Sequence, residues 1–284
     1  MHAVALETTV LSHGLPWPAN LQLARSLESI VAAQGAEPRT VGILDGRVVT
    51  RCSPNDLERF CTDEGMEKVS LRNLPGIVAK GGSGATTVAA TIRLAHQAGI
   101  RVMATGGIGG VHQGADGRPL WDESADLTEL ARCPVTVVCA GPKAILHLEA
   151  TRERLETLGV TVVGWKTDVM PAFYCEESPF AVDVRCDRID DVADVIRARD
   201  DLKLPQAILV TAAVPETFAL SMVDVQRVVS AALTSPEAQE LRPYEVTPFL
   251  LDQVRKQLGD GALTANVALL EQNAELAARI AVAL

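Results

Sequence analysis

Two hydrophobic periods alternate along this chain, and that alternation limits its possible folds more than anything else. Short, β-branched apolar segments at 40–44, 76–79, 102–105, 135–139, 160–164 and 207–211 read as strands. Between them, 19–34, 86–98, 144–158 and 189–200 carry apolar residues at the three-to-four-residue spacing of an amphipathic helix. Strands separated by helical crossovers predict an α/β fold, with a central, mostly parallel sheet flanked by helices on both faces. From Pro236 onward the sequence is helix-rich, with loops expected at 246–248 and 259–261. No linker, repeat or low-complexity tract interrupts residues 1–284, so a single domain is expected.

Composition narrows the function classes. At 48% hydrophobic residues the chain can build a sizeable core. Its formal net charge is −10 with Lys and Arg scattered singly, which argues against a nucleic-acid polymer as partner. A phosphorylated small molecule would need a local device instead, such as a glycine-rich loop, a helix N-terminus or one or two lysines. The six cysteines form no CxxC pair, so free thiols in a reducing cytoplasm are expected. No secretory leader pattern opens the chain, and no apolar stretch approaches the roughly 20 residues of a membrane span.

Glycines cluster at Lys80–Gly84 and Gly106–Gly110, where strands are expected to end and where ligands gather in open α/β sheets. Ala104-Thr-Gly-Gly-Ile-Gly-Gly-Val-His112 could approach an anion with its backbone N–H groups, Thr105 and His112 adding side-chain donors; a sharp strand-to-loop turn needs the same glycines without a ligand. In Trp121-Asp-Glu-Ser-Ala-Asp126, two aspartates one helical turn apart at the start of an expected helix suit either a hard cation or simple capping. Lys143 follows an apolar strand at the expected opening of a helix, where desolvation and the helix terminus would both lower its pKa and favour a nucleophilic amine; a snorkelling surface lysine is the alternative. Glu7 is the only charge in the apolar run 3–10: if buried, it could serve as a proton donor near neutral pH, and a satisfied edge-of-strand glutamate is the equal alternative.

Several of these segments together resemble the pseudouridine-5'-phosphate glycosidases, which include indigoidine-cluster relatives. They are Ala5-Leu-Glu-Thr-Thr with Ser12-His-Gly-Leu-Pro16, Gly84-Ala-Thr-Thr-Val-Ala-Ala-Thr91, Thr105–His112, Ser124-Ala-Asp-Leu127, Val138-Cys-Ala-Gly141 before Lys143, and Val246-Thr-Pro-Phe-Leu-Leu251. The resemblance implies reversible cleavage of pseudouridine 5'-phosphate to uracil and ribose 5-phosphate. It implies Lys143 as the nucleophile that holds opened ribose as a Schiff base, and Glu7 as the proton donor. Lys68, Val88, Ser124, Ala125 and Asp126 then match substrate-contacting positions, Asn266 resembles an asparagine near the uracil, and Asp122 matches a metal aspartate. The implied metal is Mn2+, one per subunit, with Mg2+ as an alternative, and the implied assembly is a homotrimer. A C-glycosidic bond offers no leaving oxygen or nitrogen to protonate, so opening the ribose through an imine suits the chemistry better than a pair of carboxylates.

The chain also departs from the family pattern. Ser83 replaces an asparagine before Gly84, Glu123 an apolar residue, His147 an aspartate, and Pro142 and Ala144 flank Lys143 in place of Ala and Ser. The usual Ala-Asn-Pro-Ile-Pro run appears as Thr211-Ala212-Ala213-Val214-Pro215, and loss of that amide suggests a less polar aglycone. Two enzymatic readings follow: the catabolic glycosidase, and a biosynthetic C-glycosynthase joining ribose 5-phosphate to a non-uracil aromatic. A ribose-5-phosphate-binding protein without turnover is a third, opposed by the retention of Glu7 and Lys143.

Overall fold

The computed structural model describes residues 2–175, 178–241 and 243–284. In chain order the elements are β1 (Ala3–Leu6), α1 (Ala19–Ala33), β2 (Glu37–Thr40), β3 (Gly42–Leu44), β4 (Arg47–Val49), α2 (Pro54–Thr62), β5 (Glu67–Val69), α3 (Leu74–Ala79), β6 (Gly84–Thr86), α4 (Val88–Gln97), β7 (Val102–Ala104), β8 (Val111–Gln113), β9 (Pro119–Glu123), α5 (Ala125–Leu130) and β10 (Thr136–Cys139). They continue with α6 (Leu148–Thr157), β11 (Thr161–Trp165), β12 (Val184–Cys186), α7 (Ile189–Asp201), β13 (Ile208–Thr211), α8 (Met222–Leu233), α9 (Pro236–Glu240), α10 (Pro243–Leu258) and α11 (Asp260–Ala283).

A seven-stranded sheet in the order β12-β11-β13-β10-β7-β1-β2 forms the centre. All its pairings are parallel, as the alternation of periods predicts. Strand side chains alternate between two cores. Val4, Leu6, Val102, Ala104, Val138 and Val210 pack under α1, α7, α8 and α11, while Ala5, Met103, Val137, Val162 and Leu209 pack under α4, α5 and α6. Burial on both faces explains why these strands read as continuous apolar runs. No helix among the described residues is long and apolar enough to cross a membrane.

Four sequence expectations are corrected. Segment 40–44 is not one strand: β2 ends at Thr40 and β3 starts at Gly42 in a second, four-stranded sheet of order β4-β3-β6-β5. The break falls at Val41, whose carbonyl accepts from the hydroxyls of Thr8 (2.9 Å) and Thr86 (2.7 Å), while Gly42 lies against the Phe60 ring. Segment 76–79 is helical, because Pro75 opens α3 and only Ile77 of its residues is buried, whereas a central strand buries every residue. Segment 246–248 lies inside α10, where Pro248 forgoes one ladder bond in a helix packed against α8 and α11. Finally, the helix expected from Ala144 begins at Leu148, with the His147 ring accepting from the Ala150 N–H as its cap.

Candidate active site

Chain direction decides where a crevice forms. From β1 the chain crosses through α1 to β2 on one side, and it returns through α4 to β7 on the other. α1 and α4 cover opposite faces, so the carboxyl ends of β1 and β7 diverge at a topological switch point. Glu7 follows β1 there, and Thr105 follows β7.

Thr105 is buried, and its hydroxyl donates a short hydrogen bond to Glu7 Oε1. Burial pushes the Glu7 carboxyl above its ordinary range; Lys143, the Thr105 hydroxyl and Lys68 pull the other way, and Asp126 adds to the rise. The turn carrying Glu7 is pinned by a buried hydroxyl network: Thr8 Oγ1 accepts from the Thr86 N–H at 2.8 Å, and Thr91 Oγ1 donates to Thr86 Oγ1 at 2.9 Å.

Two lysines face this acid. Lys68 enters on β5 of the smaller sheet, fixed by its carbonyl accepting from Asn73 Nδ2 at 3.0 Å. Its ammonium is pushed down by burial and by Lys143, against Asp126 and Glu7. Lys143 is half-buried on a turn, not at a helix opening, so the helix terminus expected beside it lies farther along the chain. Its N–H donates to the Ile108 carbonyl and its carbonyl accepts from the Leu146 N–H, both at 3.0 Å. His112 on β8 is pushed down by burial, opposed by Asp122, and lowered further by Lys143 and Lys68. Its Nε2 stands 3.4 Å from Thr247 Oγ1. Glu7, Lys68, His112, Asp126 and Lys143 therefore share one electrostatic neighbourhood.

The glycine loop is less of an anion cradle than its sequence suggests. The Thr105 N–H donates to Val138 O, Ile108 N–H to Gly141 O, Gly109 N–H to Asp126 Oδ2 and Val111 N–H to Thr151 Oγ1. These bonds prolong the β7–β10 pairing past the strand ends and seat the loop on α5 and α6. The glycines serve close packing, since a Cβ at Gly109 would lie 2.3 Å from Ser124 Oγ.

Asp122 and Asp126 are not a turn apart on one helix. Asp122 lies on β9, paired with the strand of His112, while Asp126 is in the first turn of α5. Asp126 is buried and accepts from the Ala89 N–H of α4 and the Gly109 N–H, both at 2.8 Å, so it brackets the glycine loop to the start of α4. Ser124 caps α5 through the Asp126 N–H, and Ala125 is the first residue of that helix. The Val88 side chain belongs to the core, leaving only its backbone at the start of α4 for a ligand. Asn266 is half-buried on α11, with no hydrogen bond to the cluster among the described residues. No group of three or more His, Cys, Asp and Glu suited to a metal occurs among the described residues.

Two residues near the cluster were not anticipated. His13, on the turn after Glu7, is pushed down by burial and by Lys68. Asn273, fully buried on α11, donates from Nδ2 to Thr105 O at 2.9 Å. An asparagine in an Ala- and Leu-rich helix was the only available signal for it. A separate cleft of about 490 Å³ beyond the ends of β11 and β13 is lined by Trp165, Lys166, Ala213, Gln272 and Arg279 among others, and by none of the cluster residues.

A buried acid, two lysines and a histidine at the switch point of a parallel sheet define an α/β protein with a compact acid–base centre for a small anionic molecule. The chain belongs to the indigoidine synthase A-like family, whose model matches residues 2–283. It is 47% identical to a pseudouridine-5'-phosphate glycosidase of Symbiobacterium thermophilum, covering 99% of this chain and 92% of the relative. The corresponding protein of Geobacillus kaustophilus is 46% identical, over 98% of this chain and 92% of the relative. Among solved structures, an indigoidine synthase A-like protein from Thermotoga maritima superposes with a TM-score of 0.91 at 37% identity, covering 99% of this chain and 92% of that one. The prealnumycin C-glycosynthase AlnA, in complex with ribulose 5-phosphate, gives 0.90 at 34% identity, covering 99% and 91%.

Proposed function

We propose that the protein is a C-glycosidase that cleaves pseudouridine 5'-phosphate reversibly to uracil and ribose 5-phosphate. The observation that carries this reading is the Glu7 carboxyl, pushed above its ordinary range by burial and hydrogen-bonded by Thr105, with Lys143 acting on it electrostatically. Near full-length similarity to proteins of that name supports the substrate class.

In the cleavage direction the Lys143 amine bonds to C1′ as the C1′–O4′ bond opens, and Glu7 gives its proton to the departing ring oxygen. The C1′–carbon bond then breaks with its electron pair going to the leaving ring, whose carbon takes a proton, and C1′ remains as an imine on Lys143. Water hydrolyses the imine to ribose 5-phosphate and the free amine. With the Thr105, Ile108 and Gly109 amides engaged internally, the phosphate is assigned to side chains, Lys68 and His112 with His13 beside them, and to the backbone at the start of α4. Ser124, Ala125 and Asp126 shape the wall opposite, and Asn266 is the candidate for the ring.

The metal assigned to the site is Mn2+, one per subunit, with Mg2+ as the alternative. The Asp122 carboxylate is half-buried and has no hydrogen bond or ion pair among the described residues, where no group of three or more His, Cys, Asp and Glu could share a cation with it. A lone carboxylate suits a hard cation that keeps most of its waters and leans on substrate phosphate. When bound, such a cation would neutralise phosphate charge. A single-domain, cytoplasmic homotrimer completes the reading, supported by six free thiols and by Leu120 and Trp121, exposed on β9.

The second reading, synthesis of a C-glycoside from ribose 5-phosphate and another aromatic ring, is favoured by the likeness to a C-glycosynthase and uses the same residues in reverse. The deciding experiment incubates protein, Mn2+ and pseudouridine 5'-phosphate, and in parallel traps ribose 5-phosphate with borohydride. Release of uracil with the sugar's mass on Lys143 is expected. Trapping without uracil release would favour the second reading, and an unmodified Lys143 would overturn both.

A further inference from the structure

We infer that Asn273 is a positioning residue of this site, acting through Thr105 on Glu7. The inference rests on the proposed role of Glu7 as proton donor. Asn273 is 0% exposed in the middle of α11, a helix whose neighbouring buried positions are Leu269, Leu270, Ala274 and Ala277. Its Nδ2 donates to Thr105 O at 2.9 Å and leans toward Gly106 O at 3.5 Å, while its Oδ1 has no hydrogen-bond partner among the described residues. The unpaired buried amide oxygen offsets much of what pairing the Thr105 carbonyl contributes, so the net stabilisation is small and the directional hold on that peptide is what an asparagine adds here.

What the side chain achieves is local. It holds the peptide that joins Thr105 to Gly106, and Leu269 and Leu270 of the same helix close on Gly106 from the same side. That peptide sets the direction of the Thr105 hydroxyl, which donates to Glu7. The chain of contact therefore runs from α11, on one face of the sheet, to an acid at the switch point.

The groups facing Glu7 are Thr105 after β7, Lys143 after β10, Lys68 on β5 and Asp126 on α5. Of these, only Thr105 is held by Asn273. The Thr105 hydroxyl favours the ionised carboxyl, so loosening it raises the Glu7 pKa. Because a proton donor is active while protonated, the alkaline limb of the pH–rate profile would then move to higher pH, even as misaimed proton delivery slows turnover.

The test compares Asn273→Leu, Asn273→Ala, Thr105→Val and the double variant Asn273→Leu/Thr105→Val in cleavage of pseudouridine 5'-phosphate, recording kcat, KM, pH profile and unfolding midpoint. Asn273→Leu should lower kcat by about tenfold or more with KM nearly unchanged and shift the alkaline limb upward, while the midpoint falls by no more than roughly 2–5 °C, as expected for a Thr105 carbonyl that has lost its donor. The double variant should be no slower than Thr105→Val alone. A lowered midpoint with unchanged kcat and pH profile, or additive losses in the double variant, would overturn the inference. Glu7→Gln separates the two levels. If it retains turnover, the acid assignment itself fails; if it is inactive while both Asn273 variants behave as wild type, only the role of Asn273 falls.

Discussion

Replacing Asp126 with asparagine tests whether this carboxylate is a bracket or a ligand-binding group. Its two oxygens accept from the Ala89 and Gly109 N–H groups, both at 2.8 Å, and the side chain is buried. Asparagine keeps the shape but offers one acceptor, and its amide nitrogen must face a backbone donor. Losing one hydrogen bond to a charged group costs about 1.5–3 kcal/mol, and the stranded N–H adds about 1–3 kcal/mol. A total of roughly 3–5 kcal/mol is expected, which for a chain of this size lowers the unfolding midpoint by roughly 6–10 °C. Calorimetry of the metal-free protein measures this directly, and urea unfolding gives an independent free energy. The glycine loop should loosen from α4, and turnover should fall with it. A midpoint within about 2 °C of wild type would refute the bracket, since a variant of a mere ligand group changes binding without changing the empty protein's stability.

Gly141 has φ +82° and an added Cβ would lie 1.9 Å from the Pro171 carbonyl oxygen, so Gly141→Ala should destabilise by roughly 3 kcal/mol or more; an unchanged unfolding midpoint would contradict it. The Glu7 carboxyl is held above its ordinary range only when folded, so the folded chain binds that proton more tightly and stability is lost as pH rises past the unfolded value of about 4.3. Glu7→Gln should therefore unfold at a higher temperature than wild type at pH 8, converge with it in acid, and lose turnover; a lower midpoint at pH 8 would contradict the sign. If Asp122 seats the cation, Asp122→Ala should abolish the response of activity to Mn2+ titration, and an unchanged titration would remove that assignment.

The sheet was legible because burial on both faces leaves strands with no polar alternation to confuse with loops. Val102–Ala104, Thr136–Cys139 and Ile208–Thr211 fall within the predicted segments for that reason. What failed had tertiary causes. Val41 breaks a continuous apolar run because hydroxyls from Thr8 and Thr86, distant in sequence, take its carbonyl. Gly76-Ile-Val-Ala79 is apolar and β-branched, yet Pro75 and one buried face make it a helix. In the site, Glu7, Lys68, His112 and Lys143 were foreseen and are brought together. Asp126 was foreseen as a ligand group; that its carboxylate also accepts from the Ala89 and Gly109 N–H groups is visible only once α4, α5 and the loop meet.

The missing amide at Ala213 acquires a structural setting once its surroundings are known. Read alone, it points to a less polar ring in the substrate. Ala213 lines the cleft with Trp165, Lys166 and Arg279, a cleft whose lining includes none of Glu7, Lys68, His112 and Lys143. Its own carbonyl accepts from Gln272 Nε2 at 2.7 Å, so this strand end receives a side-chain amide from α11. The adjacent Asn273 serves Thr105 at the end of β7 in the same way. One turn of α11 thus ties down two strand ends, one beside the proposed acid and one beside the separate cleft.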